Sequence, residues 1–261
     1  MNYCVILLAA GLGTRLKPFT SKYPKCLAPI QGRPLLDYWL HSDLCLNAKR
    51  VFINTFYQAT HVQKFLEMIS HNNVVEVSES SLKGTMGSLR DIVTEFKLNE
   101  DLLVVAHADN FLSKDGYLEL FASLKAMDLA GGTVFHGFDV SDISGKGIFE
   151  IDENTGALSG FVERPAHSLS NNANAAIYFF PPAVITKLLR IYEPEKSEIV
   201  EYIPKLISTA SYRHIKNGVI DIGTMPSLIA SQILGFGRSL NQAEKLFFDQ
   251  INRQFESLKA I

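Results

Sequence analysis

The run Tyr3-Cys4-Val5-Ile6-Leu7-Leu8-Ala9-Ala10 is apolar at every position and passes directly into Gly11-Leu12-Gly13. Apolar side chains on both alternating sets of positions predict a parallel strand buried on both faces, central in its sheet. Open α/β sheets bind ligands beyond the carboxyl ends of such strands. Whatever this chain binds is therefore expected to be held just after Ala10. The run lacks a basic leader, which favours a strand over a secretory signal.

Similar apolar runs recur at Arg50 to Asn54, Val74 to Val77 and Leu102 to His107. Helical patterns lie between them at Leu35 to Leu46, Ala59 to Ile69 and Gly87 to Phe96. This alternation predicts a parallel sheet covered by helices. After Gly131 the strands become shorter and turn-rich, at Gly132 to Phe138, Gly147 to Asp152, Ser159 to Glu163 and Ala173 to Phe180. Asp152-Glu153-Asn154-Thr155-Gly156 reads as a hairpin turn. The expected fold is α/β, a Rossmann-like mixed and mainly parallel sheet flanked by helices, with a β extension. One domain over 1–261 is expected. Residues 1–130 would form one half, 131–235 the other, and 240–258 a final helix carrying Leu246, Ile251, Phe255 and Leu258 on one face. That helix is expected to pack on the body or on a second copy of the chain.

Hydrophobic residues make up 47% of the 261 and charged residues 20%, which suits a globular protein with a sizeable core. A formal net charge of -2 argues against a nucleic-acid surface, so local basic residues must carry any phosphate binding. Cys4, Cys26 and Cys45 form an odd set without metal-ligand spacing, as expected in a reducing cytoplasm. No apolar stretch approaches transmembrane length.

After the first strand, glycines let backbone N–H groups approach phosphate oxygens, and consecutive amides can form an anion-binding nest. Arg15 and Lys25 would add fixed positive charge. A dinucleotide fingerprint fails because Leu16 stands at its third glycine, and a Walker loop fails for want of Gly-Lys-Ser/Thr. By itself the turn could equally be a tight strand–helix connection.

The longer string Gly11, Gly13, Arg15, Pro18, Thr20, Pro24 and Lys25 resembles the signature G-x-G-x-R-x-x-P-x-T-x-x-x-P-K of the sugar-1-phosphate nucleotidyltransferases. The resemblance runs from Tyr3 to about Ala230, with the later motifs in the family's order. It is nearest in look to members resembling mannose-1-phosphate guanylyltransferases. It implies that Leu8, Ala10, Gly11, Gly13, Thr14, Arg15 and Lys25 bind the triphosphate, with Arg15 and Lys25 on phosphates. Asp109, after the strand Leu102 to His107, and Asp221, in Asp221-Ile222-Gly223-Thr224, would hold Mg²⁺; Arg15, Lys25 and Asp109 would be catalytic. Taken alone, Asp109 could be a turn or helix cap and Thr224 a helix cap. His107 reads as a wall residue.

By the same resemblance Gly84 and Thr85, in Leu82-Lys83-Gly84-Thr85-Met86-Gly87, lie beside the nucleobase, with Lys83 and Met86 departing from the family pattern. Gly147, Glu163, Arg164 and Asn174 would bind the sugar phosphate. Arginine replaces the family's lysine at Arg164, keeping the charge in a planar fork. The implied partners are a nucleoside triphosphate and a sugar 1-phosphate, with no nucleic acid or membrane. The first choice is GTP with a mannose-like sugar. A dTTP-, UTP- or CTP-dependent enzyme, phosphocholine as acceptor, or a non-catalytic nucleotide-sugar sensor are the alternatives. No hexapeptide repeat follows, so a second, acyltransferase activity is not expected.

Overall fold

The computed structural model describes residues 2–69, 71–98, 101–128, 131–152, 154–168, 170–216 and 219–259. Glu153 of the expected hairpin turn lies outside them. The chain divides into two compact units that interleave along the sequence. The first comprises Met1–Ile6, Lys83–Ala106 and Glu119–Lys216; the second comprises Leu7–Leu82, His107–Leu118 and Asn217–Ile261.

Strand β1 (Tyr3–Leu8) is buried at every residue, as its unbroken apolar run requires. A short hairpin, β2 (Pro29–Ile30) and β3 (Arg33–Pro34), leads to helices α1 (Leu35–Leu40) and α2 (Asp43–Leu46). A single helix over Leu35 to Leu46 was expected. Ser42 breaks it, because its hydroxyl donates to the Trp39 carbonyl at 2.6 Å and accepts from the Cys45 N–H at 3.4 Å, restarting the helix as a cap. Then follow β4 (Arg50–Thr55), α3 (Ala59–Met68), β5 (Val74–Ser78), α4 (Gly84–Phe96) and β6 (Leu102–His107). β4 and β5 run parallel, with Val51 opposite Val74.

Beyond β6 come β7 (Asn110–Leu112), α5 (Lys114–Lys125), β8 (Val134–Asp139), β9 (Gly147–Ile151), β10 (Leu158–Glu163) and β11 (Asn172–Phe180). The chain closes with α6 (Pro182–Arg190), β12 (Ser211–His214), β13 (Val219–Asp221), α7 (Met225–Ser231) and α8 (Gln242–Lys259). β11 organises the first unit, pairing antiparallel with β6, β8 and β9, while β12 lies parallel to β8. The fold is α/β, a mixed sheet flanked by helices. In the turn after β9, the Asp152 carboxylate accepts from the N–H groups of Asn154 and Thr155, and Gly156 takes φ +69°. Among the described residues no helix is long and apolar enough to cross a membrane.

α8 packs on α3 within the second unit, with Phe65 stacked on Phe247 at 6.3 Å. Its buried stripe is Phe248, Ile251 and Phe255; Leu246, expected on that face, is 60% exposed. Helical spacing admitted either phase, and the larger aromatic surface of Phe248 is the one buried.

The second unit also encloses an ionic cluster. Asp37 is fully buried and accepts from Arg33 Nε at 2.8 Å and Arg238 Nη2 at 2.6 Å, and Arg238 continues to Glu244 at 2.8 Å. Arg33 lies over the Tyr38 ring at 4.0 Å. Burial works to raise the Asp37 carboxyl, but its contacts with His41, Arg238 and Arg33 prevail and hold it far below the usual carboxylate range. Replacing Asp37 by Asn leaves the Arg33 guanidinium buried without its counter-charge and Arg238 with Glu244 alone, so a loss of about 3 to 5 kcal/mol is expected in urea unfolding at pH 7. A loss under about 1 kcal/mol would contradict this.

In the first unit His136 is 1% exposed, between Ser123 Oγ at 2.9 Å and the Ile177 carbonyl at 3.3 Å. Burial pushes its imidazole down to about 3 from 6.5. The unfolded chain thus binds the proton first. Stability is full above about pH 6.5 and falls as pH drops towards 3, by up to ~1.4 kcal/mol per unit. His136→Asn should flatten the dependence of unfolding free energy on pH between 7 and 5; an unchanged slope would exclude this assignment.

Candidate active site

Leu8 and Ala10 are buried at the end of β1, and the Ala9 N–H donates to Asn54 Oδ1 at 2.6 Å, which ties the start of the loop to the end of β4. Gly11 is exposed with open space around it. Gly13 adopts φ +60°, and a Cβ there would lie 2.8 Å from Thr20 Cγ2 and 3.1 Å from Lys25 Cβ, so only glycine fits. Thr20 is fully buried and its hydroxyl donates to the Gly13 carbonyl at 2.8 Å. Leu16 is fully buried too, which explains an apolar residue where a dinucleotide loop has glycine. These anchors leave Thr14 and Arg15 exposed.

Lys25 begins a short 3-10 turn after Pro24. Its Nζ lies 2.5 Å from Asp109 Oδ2 and 3.6 Å from Asp221 Oδ1. The two acids, remote in sequence, are joined by a small ladder: β13 pairs antiparallel with β7, setting Asp221 opposite Asn110, and the Ile222 N–H donates to the Asp109 carbonyl at 3.1 Å. The Ala108 N–H donates to the Leu8 carbonyl at 3.0 Å, which fixes Asp109 next to the end of β1. Arg15 belongs to the same group of charges. A Cβ placed on Gly223 would meet Asp221 Oδ2 at 3.2 Å and Arg15 Nη2 at 3.3 Å. Thr224 caps α7 through the Ser227 N–H, so the segment supplies both the acid and the helix start.

Burial tends to raise the Asp109 carboxyl, but the Lys25 ammonium and His107 beside it hold it below its ordinary value, so it is ionised at neutral pH. His107 Nε2 is buried and, among the described residues, has no hydrogen-bond partner. Among the described residues no group of three or more His, Cys, Asp or Glu converges on one point. The donor set is therefore two carboxylates already gathered around one cation. This fits Mg²⁺, which takes hard oxygen ligands and fills its other positions from phosphates and water.

The remaining candidates lie in the first unit. Gly147 opposes Glu163 across β9 and β10, and a Cβ on it would fall 2.6 Å from Glu163 Oε2 and 2.5 Å from Phe161 Cζ. Burial raises the Glu163 carboxyl, with Arg164 opposing. The Arg164 side chain is 73% exposed, at φ +49°, and touches Glu163 at 3.3 Å. Asn174 donates from Nδ2 to the Tyr178 hydroxyl at 2.9 Å and accepts from the Ala176 N–H at 2.9 Å, across a bulge in β11. Gly84, at φ +71°, packs on Ser197. Glu198 was missed from sequence: it accepts from the Thr85 hydroxyl at 2.7 Å and the Met86 N–H donates to the Ser197 carbonyl at 2.7 Å. The Glu198-x-x-Glu201 capping box was its only local signal. Lys83 pairs with Asp91 at 2.5 Å.

A family profile described as nucleotidyl transferase matches residues 4–233. A protein of Sulfolobus acidocaldarius, provisionally named mannose-1-phosphate guanyltransferase, is 29% identical over 205 residues, 77% of this chain and 54% of that protein. The Drosophila melanogaster protein named mannose-1-phosphate guanylyltransferase catalytic subunit beta is 27% identical over 186 residues, 70% of this chain and 49% of its own length. The chain thus spans about half the length of these relatives. A solved Bacillus anthracis structure, provisionally named glucose-1-phosphate thymidylyltransferase in complex with a sucrose, superposes with a TM-score of 0.75 at 20% identity, covering 94% of this chain and 99% of that one. At that identity the likeness bears on the fold alone. Because the matched profile takes in the glycine loop, Lys25, Asp109 and Asp221 in one span, the chain belongs to the nucleotidyl transferase family.

Proposed function

We propose that this protein transfers a nucleotidyl group from a nucleoside triphosphate to a sugar 1-phosphate, with Mg²⁺ as cofactor and GTP with a mannose-like 1-phosphate as the substrates. The observation that carries the reading is the cluster of Lys25, Asp109 and Asp221, with the Arg15 guanidinium close to Asp221. The choice of guanine and mannose follows the names of the relatives similar to this chain.

In this reaction a sugar-phosphate oxygen attacks the α-phosphorus in line; a new P–O bond forms as the bond to the β-phosphate oxygen breaks, and pyrophosphate leaves with that electron pair. No side-chain nucleophile is needed, so positioning and charge neutralisation supply the acceleration. A bound divalent ion would neutralise phosphate charge. Asp109 and Asp221 would hold it. Arg15, exposed on a loop whose base is pinned by Leu16 and Thr20, supplies a fixed fork of donors for phosphate oxygens, and Lys25 a point charge. Gly147, Glu163, Arg164 and Asn174 are assigned to the sugar phosphate. Glu163 and Phe161 approach Gly147 too closely for any side chain there, which holds Glu163 beside β9. Gly84 and Thr85 are assigned to the nucleotide.

The test is pyrophosphate release with each common NTP against several sugar 1-phosphates, with and without Mg²⁺. GTP with mannose 1-phosphate should be the fastest combination, and release should require the metal. Absence of release in every combination would refute the reading. A preference for dTTP or UTP would retain the reaction and overturn the substrate assignment. Lys25→Met, which keeps most of the side chain's length and removes its charge, should lower kcat by roughly one to two orders of magnitude, the worth of one charge-assisted contact; near-normal turnover would remove Lys25 from its assigned role.

A further inference from the structure

The ammonium of Lys25 stands between the two carboxylates assigned to the metal. Its Nζ is within 2.5 Å of Asp109 Oδ2 and 3.6 Å of Asp221 Oδ1, and its side chain is only 12% exposed, whereas the two carboxylates are 31% and 34% exposed. The most enclosed member of the cluster is thus the cation. A divalent ion entering alone would have to share both carboxylates with this ammonium or displace it, and two cations at contact distance repel each other. A triphosphate changes the balance, because it offers anionic oxygens to which a flexible lysine can turn. The glycine loop that would receive those oxygens leads directly to Lys25, whose Cβ would lie 3.1 Å from a Cβ added to Gly13.

We propose that Lys25 holds the metal's place in the nucleotide-free protein and competes with a metal ion for Asp109 and Asp221 until a triphosphate draws its ammonium away. The inference rests on the assignment of Asp109 and Asp221 as metal carboxylates. It makes metal and nucleotide binding mutually reinforcing, by the same factor in either order. It also assigns Lys25 two successive partners, carboxylate before the nucleotide binds and phosphate afterwards.

The experiment is calorimetric titration of the nucleotide-free full chain with Mn²⁺. Wild type should bind weakly. Lys25→Met should bind at least about ten-fold more tightly, because the competing charge is gone while both carboxylates remain. Lys25→Arg, which restores a positive charge, should return to weak binding, and Lys25→Met combined with Asp109→Asn should lose the gain. Far-ultraviolet circular dichroism establishes that each variant is folded. Equal or weaker Mn²⁺ binding by folded Lys25→Met, or tight binding by wild type, would overturn the proposal. The result is separable from the proposed reaction. Pyrophosphate release with no tightening in Lys25→Met defeats this inference alone, and tightening without release on any substrate defeats the reaction alone.

Discussion

The candidate site is governed by one electrostatic requirement: Asp109 and Asp221 converge on a single point and their charge must be balanced. Neither acid is placed there by its neighbours in sequence. Asp109 is set by the end of β1 through the Ala108 to Leu8 hydrogen bond, and Asp221 by the β7–β13 ladder. The ladder is short, and like charges brought together by it would tend to open it. Lys25 opposes that tendency by contacting both acids. The loop carrying Lys25 must then be held as firmly as the acids, which is the part played by buried Leu16, Phe19 and Thr20. Asn54 does the same for the other end of the loop.

The cluster around Asp37 shows what ion pairing looks like when it serves the fold. Asp37 is fully buried, both its oxygens are taken by arginines, and Arg238 is itself shared with Glu244. Every charge there is answered within the protein, and planar guanidinium groups fix the geometry. The Lys25 cluster is built differently. Its carboxylates remain about one-third exposed, at 31% and 34%, and its cation is a lysine with rotatable donors. Such an arrangement balances charge while leaving the acids partly open to solvent. The same residue types thus give a rigid staple in one place and a receptive site in another, through burial and saturation alone.

Much of this was legible in the sequence because it depends on local pattern. The unbroken apolar run of β1, the Asp152 turn and the glycine loop all carry their physical cause within a few residues. The helix phase of α8 was read with Leu246 inward because Leu246 and Phe248 both fit a helical stripe. Neighbours remote in sequence decide for Phe248, which lies against Phe65 of α3 and under Arg238. The break at Ser42 was hidden by the same ambiguity, since a serine in a helical pattern is also compatible with a continuous helix. Glu198 was invisible for another reason: its partner Thr85 is remote in sequence, and a glutamate beside a capping box looks like a solvated surface residue.

That last contact also separates two glycine-containing segments that look alike in sequence. Both Gly11 to Thr14 and Gly84 to Thr85 offer small residues near the start of a helical turn, the usual setting for an anion. At the start of α4 the donors are engaged by the chain itself. Glu198 takes the Thr85 hydroxyl, the Ser197 carbonyl takes the Met86 N–H, and Gly84 is packed against Ser197. A carboxylate already stands where a phosphate would bind, and a second anion there would meet like charge. The loop after β1 has the opposite character, with open space around Gly11 and Arg15 exposed. The proposed polyphosphate site is therefore better matched by the open loop from Gly11 to Lys25 than by the start of α4. The role proposed for Gly84 and Thr85 is accordingly contact with the uncharged parts of a nucleotide, since their surroundings already hold an anion.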